Sequence, residues 1–262
     1  LSLPASFARD GFFPINQVRS KQRHILIGTD GWSNTGKTEF ALSAPGPGIV
    51  ICLDRGFDGV FDNPNPPKTR RDDFAFKVIH IPLATQAAQP EYLEYWRQFY
   101  AEYKKALANP DARTVILDGD SDSWELQRLA EFGKLEQVPA IRYTAVNAAR
   151  RAMIARAFDS GKIVISTNKL KDEYETSAED KNKQIKTGKA KRQGFADHEY
   201  LYQLHLRHLH NPETNQFGLR IMRCKSDTTL QGMELWGPDC NFRSLMETIY
   251  PHIPAREWGY AE

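Results

Sequence analysis

An α/β fold is expected of this chain, with a mostly parallel central sheet flanked by helices and a C-terminal antiparallel hairpin. Apolar runs at 24–27, 49–53, 114–117 and 162–167 are too short for helices and too continuous for half-exposed strands, so they read as buried parallel strands. Helix-length amphipathic stretches lie between them, as parallel crossovers require. After residue 198 the pattern turns to alternation, broken by Asn211-Pro212, as in an antiparallel pair.

The first run, His24 to Ile27, leads into Gly31-Trp32-Ser33-Asn34-Thr35-Gly36-Lys37-Thr38, which fits G-x-x-x-x-G-K-[ST] at every fixed position. Residues 37–44 can then start a helix. Strand, glycine-bearing turn and helix in that order form a phosphate-binding loop, whose backbone N–H groups curl toward phosphate oxygens. Lys37 can reach the β- and γ-phosphates, and the Thr38 hydroxyl can ligate Mg²⁺. Residues 31–38, with Glu39 next in the helix, are therefore the candidate nucleotide-binding residues. A chance match in a glycine-bearing loop is the alternative, and the flanking strand and helix argue against it.

The next run, Ile49 to Leu53, ends in Asp54-Arg55-Gly56. A carboxylate at the tip of a central strand lies where ligands bind in open α/β sheets. Asp54 is thus a candidate to orient or deprotonate an attacking water, with Asp58 the weaker substitute and a turn cap the plain reading. Pro64, Pro66 and Pro67 with Lys68, Arg70 and Arg71 mark a surface loop, and 76–81 another strand. The aromatic stripe of the helix at 91–108 reads as core.

Thr114-Val115-Ile116-Leu117-Asp118 delivers an acid at the end of a buried strand, suited to hold Mg²⁺ beside Thr38. Strand length favours Asp118, with Asp120 the alternative. The residue after Asp118 is glycine rather than glutamate, which sends the search for a base back to Asp54. Helices are expected at 124–135 and 143–158. The strand at 162–167 ends in polar Thr167-Asn168, suited either to sensing a γ-phosphate or to simple strand termination.

Residues 169–193 are charged and poor in large apolar side chains, as in a mobile loop or hairpin. Lys181 to Arg192 carries six basic residues and no acid, a local candidate for phosphate-backbone contact. His205, His208 and His210 lack the spacing and the extra ligands of a metal site.

Composition sets outer bounds. A formal net charge of +2 gives no polybasic signature, so any nucleic-acid contact must be local. Three widely spaced cysteines, Cys52, Cys224 and Cys240, point to a reduced, cytoplasmic setting. No apolar run is long enough to span a membrane, and the first residues lack a signal-peptide core. The expected organisation is an irregular arm at 1–22, one domain at 23–227 and a capping tail at 228–262.

These motifs in this order resemble the RecA-like P-loop NTPase core, in particular the short phage-type ATPases that promote single-strand annealing and recombination. G-W-S-N-T-G-K-T, I-V-I-C-L-D, T-V-I-L-D, K-I-V-I-S-T-N-K and the basic K-A-K-R-Q-G carry the resemblance over about residues 23–227. It implies ATP and Mg²⁺ as cofactors, bound by Lys37, Thr38 and Asp118, with Asp54 nearest to the family's catalytic carboxylate. It also implies single-stranded DNA as partner and a homo-oligomer in which Lys189, Lys191 or Arg192 completes a neighbour's site. A nucleotide-gated assembly factor with little turnover and a small-molecule kinase are the alternatives.

Overall fold

The computed structural model describes residues 23–53, 60, 67–82, 87–133, 138–176 and 184–260. Asp54 and Asp58, and the basic residues Lys181 and Lys183, lie outside them. The apolar runs form β1 (Ile25–Gly31), β2 (Gly48–Cys52), β3 (Phe74–Val78), β4 (Thr114–Asp118) and the first part of β5 (Ile163–Thr176). The C-terminal third adds β7 (Leu204–Asn211), β8 (Gln216–Cys224) and β9 (Glu234–Trp236). Strands follow the order β3-β2-β4-β5-β1-β7-β8-β9, and β6 (Gln184–Arg192) pairs with β5 off this path.

β1 lies between β5 and β7 and is parallel to both, while β8 and β9 run antiparallel at one edge. Every residue of β1 and β4 is buried, which explains the apolar runs Ile25 to Ile27 and Val115 to Leu117 within them. The sheet is therefore mostly parallel, helix-flanked and finished by antiparallel strands, as expected.

Alternation along the strands splits the core between two faces. On one face Ile27, Ile116 and Leu206 pack with Phe40 of α1 (Lys37–Ala41). On the other, Leu26, Val115 and Val164 pack with Tyr92 and Phe99 of α2 (Gln89–Ala108). Leu126 of α3 (Asp120–Phe132) and Met153 of α4 (Tyr143–Asp159) join that second face. Each fully buried aliphatic or phenyl side chain contributes about 1.5–3 kcal/mol by removal from water.

Four elements refine or differ from expectation. α3 starts at Asp120, not at Trp124, because Asp120, Ser121 and Ser123 are buried in its first turn among polar partners. β5 continues past Asn168 for a total of 14 residues, and β6 returns beside it. The described part of 169–193 is thus the hairpin form of the expectation, with a cross-strand Lys186–Asp172 ion pair of 2.9 Å. His198 opens a short helix, α5 (His198–Leu201), rather than a strand. Residues beyond 227 form β9, α6 (Phe242–Ile249) and α7 (Ala255–Trp258), and Phe242, Leu245, Met246 and Trp258 share one core with Phe40.

Candidate nucleotide site

β1 ends at Gly31, and the chain turns through 32–36 into α1. Two left-handed residues make that turn, Asn34 at φ 57° and Gly36 at φ 84°. Glycine holds the second without steric cost, and asparagine tolerates the first better than most residues. Thr35 Oγ1 donates to the Trp32 carbonyl at 2.9 Å and closes the loop internally. Lys37 Nζ donates to the carbonyls of Gly31, at 3.1 Å, and Trp32, at 2.6 Å. The ammonium is therefore held inside the curl, and Trp32, Ser33 and Asn34 are exposed around it. Glu39 lies in the first turn of α1, 3.7 Å from Arg70.

β4 carries Asp118 to the same place. Thr38 Oγ1 lies 3.2 Å from both carboxylate oxygens of Asp118, which is only 4% exposed. On the other side Thr167 Oγ1 donates to Asp118 Oδ1 at 2.6 Å and accepts the Gly119 N–H at 2.9 Å. The Cys52 thiol approaches Oδ2 at 3.8 Å. Hydroxyl and carboxylate oxygens converging on one point are the hard donor set that Mg²⁺ takes. The residues present thus fit a Mg·ATP complex: an ammonium in the loop, and a hydroxyl–carboxylate pair at its edge.

Asp120 does not share this point. It is buried on the opposite face of the sheet, where it forms a short ion pair with Arg150, accepts from Ser123 Oγ at 2.8 Å and lies 3.4 Å from His198 Nε2. Burial pushes its carboxyl up, but the Arg150 charge and the bonds from His198 and Ser123 outweigh this and hold it far below the usual carboxylate range. A second buried acid, Asp30, sits just before Gly31. It receives both arms of the Arg207 fork, at 2.8 and 3.2 Å, and lies 2.9 Å from His205 Nε2. Burial raises the Asp30 carboxyl, and these partners bring it below its ordinary value.

The basic residues of β6 separate into two kinds. Lys189 and Lys191 are exposed, with Lys191 Nζ 4.0 Å from Glu173. The Arg192 side chain is only 4% exposed and donates to the Phe195 carbonyl at 2.8 Å. It faces the interior of its own domain, unlike Lys189 and Lys191. The reason is local: Ser121 of α3 bonds Gln193 and Glu199 of α5 lies 3.9 Å from Arg192 Nε, and the alternation turns Arg192 toward them.

The histidines also part company. His205 serves Asp30, and exposed His210 stacks on Phe217 with centroids 4.7 Å apart. His208 is buried beneath the loop, edge-on to Phe40. Among the described residues no cluster of three or more His, Cys, Asp or Glu side chains could hold a metal.

Sequence reasoning missed Asp30, Arg207, Arg150 and the orienting role of Thr167. Asp30 could have been found, because a carboxylate inside a buried strand demands a cationic partner. Its partner Arg207 sits on a separate strand, and nothing in the spacing names it.

His198 and His208 carry a pH prediction. Burial takes each down to about 3; the Lys37 charge adds to this at His208, and the Asp120 bond opposes it at His198. An unfolded histidine takes its proton near 6.5. Between those values the unfolded chain binds more protons, so stability falls as pH drops through this window. Unfolding free energy is expected to fall by up to about 4 kcal/mol from pH 7 to 5. Replacing His208 with glutamine is expected to remove about half of that slope. Urea midpoints that stay level across this range would refute neutral burial of both rings.

No protein-family model matches the sequence, and no curated protein matches it. Among solved structures, the fold is similar to that of the RadB recombinase, with a TM-score of 0.46 and 14% identity over 82% of this chain and 87% of that chain.

Proposed function

We propose that this chain is a RecA-like P-loop ATPase that acts on single-stranded DNA in phage-type recombination or annealing. The observation that carries this reading is the Thr38–Asp118 contact beside a loop with Lys37 folded into it. Sequence motifs 80 residues apart meet at one point, as nucleotide chemistry needs.

In this reading the loop backbone and Lys37 bind the triphosphate, and Thr38 and Asp118 hold Mg²⁺ directly or through water. Bound Mg²⁺ would neutralise charge that develops on the transferring phosphoryl group. Thr167 keeps the Asp118 carboxylate aimed at Thr38. Asp54 is the residue assigned to position water. Lys189 and Lys191, exposed on the hairpin, are assigned to DNA phosphates or to a neighbouring subunit's nucleotide in a head-to-tail oligomer. The cytoplasm, where ATP and DNA meet, is the proposed setting.

The test is phosphate release from ATP with Mg²⁺, with and without single-stranded DNA. Release stimulated about tenfold or more by single strands is expected, given that a trans cation supplies 10³-fold or more elsewhere. Slow release that single strands leave unchanged, with nucleotide-dependent oligomerisation, would favour the assembly-factor reading. Phosphate appearing on a small acceptor would favour a kinase.

A further inference from the structure

We propose that Arg192 is a positioning residue that locks the basic hairpin to the nucleotide site of its own subunit, so that the hairpin responds to bound nucleotide. The proposal rests on the ATP-binding reading above but needs no DNA.

The hairpin is not hinged to the sheet. Its outgoing strand is β5 itself, which runs from Ile163 to Thr176 with a register shift only beyond Asp172. Two consecutive β5 residues face opposite sides of the sheet. Thr167 bonds Asp118 and the Gly119 N–H on the nucleotide side. Asn168 pairs in register with Asp30 on the side where Asp30 meets Arg207. A change at Asp118 therefore bears on the strand that becomes the hairpin.

The returning strand needs its own anchor, and three contacts supply it. Ser121 Oγ donates to the Gln193 carbonyl at 2.7 Å, and Gln193 N donates to the Lys169 carbonyl at 2.7 Å. Arg207 Nη1 reaches the Ala190 carbonyl at 3.5 Å while the same guanidinium holds Asp30. Arg192 then inserts between the two buried acid clusters. Its ion-pair partner is Glu199 at 3.9 Å, and it lies in the field of both Asp120 and Asp30. One acid directly precedes the phosphate loop, and the other follows Asp118 by two residues.

Arg192 is also incompletely satisfied. Its Nε and Nη1 have no hydrogen-bond partner among the described residues, and neither does the buried Asn168 Oδ1. Nη1 and that oxygen are neighbours beside Gly194, each 3.5 Å from where a Cβ on that residue would sit. A buried guanidinium with donors to spare is costly to hold in one arrangement. A small shift of β5 that brings Asn168 Oδ1 to Arg192 would relieve that cost. A nucleotide that favours this second arrangement over the first would thereby move the hairpin root.

Hydrogen exchange of the full chain, with and without Mg²⁺ and the β,γ-imido analogue of ATP, tests this. In the wild type the analogue is expected to slow exchange about fivefold or more in both the phosphate loop and the hairpin root, residues 168–172 and 189–193. In Arg192→Gln the loop effect is expected to persist and the root effect to fall below about twofold. Glu199→Gln, a milder change at a half-exposed partner, is expected to give an intermediate root effect and guards against misfolding of the first variant. A root effect that survives undiminished in both variants, or a wild-type root that does not respond while the loop does, would overturn the proposal. A wild-type loop that fails to respond would instead sink the nucleotide-binding reading itself.

Discussion

Lys37→Ala is expected to lower ATP binding and hydrolysis by about a hundredfold or more, the scale lost when one preorganised donor to a phosphoryl transition state is removed. The physical case starts from where the ammonium rests. Nζ bonds two carbonyls of its own loop, at 3.1 and 2.6 Å, within the turn that the triphosphate would occupy. Those carbonyls are neutral acceptors. A phosphate oxygen carries charge and makes a shorter, stronger bond to the same donor. Binding would therefore draw Nζ off the carbonyls and onto phosphate. Alanine removes the only side-chain cation within the G-x-x-x-x-G-K-[ST] stretch. The fold should be little affected, because Lys37 is partly exposed and fills no core space. Lys37→Arg is expected to be almost as inactive, since a planar fork cannot replace a compact ammonium inside a tight curl. Fluorescent-nucleotide titration together with phosphate release checks both variants. Full ATP affinity in the alanine variant would remove residues 31–38 from the site.

How much of this was legible depended on whether a residue's partner was near in sequence. The phosphate loop was readable because its function is written in contiguous positions, from Gly31 to Thr38. The central strands were readable because burial on both faces leaves short apolar runs, Ile25 to Ile27 in β1 and Val115 to Leu117 in β4. Choosing between Asp118 and Asp120 needed a contact 80 residues away, which only the folded sheet provides. The start of α3 was hidden because its first turn is polar and buried at once, a combination made affordable by Arg150 on another helix. The inward turn of Arg192 was hidden for a similar reason. Composition marked it as one of six basic residues in a charged segment, whereas strand alternation and the acids behind it separate it from Lys189 and Lys191. The short helix at His198 was obscured because four residues are too few to tell alternation from a single helical turn.

Arg150→Met is expected to cost about 3–5 kcal/mol of stability, the largest folding effect of any single change here. Arg150 is 1% exposed and Asp120 is 3% exposed. Their short ion pair is joined by Ser123 Oγ, 2.8 Å from the guanidinium and 2.8 Å from Asp120 Oδ1. Methionine preserves much of the volume, so the cost comes from stranding a carboxylate in the core rather than from a cavity. The stranded charge has a nearby titratable partner, because His198 Nε2 lies 3.4 Å from Asp120 Oδ2. With Arg150 gone, that carboxylate would favour the imidazolium and raise the His198 pKa from its present low value of about 3. Protonation would then partly replace the lost cation. The variant should accordingly be hurt more at pH 8 than at pH 6, opposite to the slope expected of the wild type. Adding Asp120→Leu removes the stranded charge, and the double variant should be more stable than Arg150→Met alone. Urea denaturation of the three proteins at both pH values decides the matter. A single variant within about 1 kcal/mol of wild type at pH 8 would mean that water reaches Asp120 and that this pair does not anchor α3.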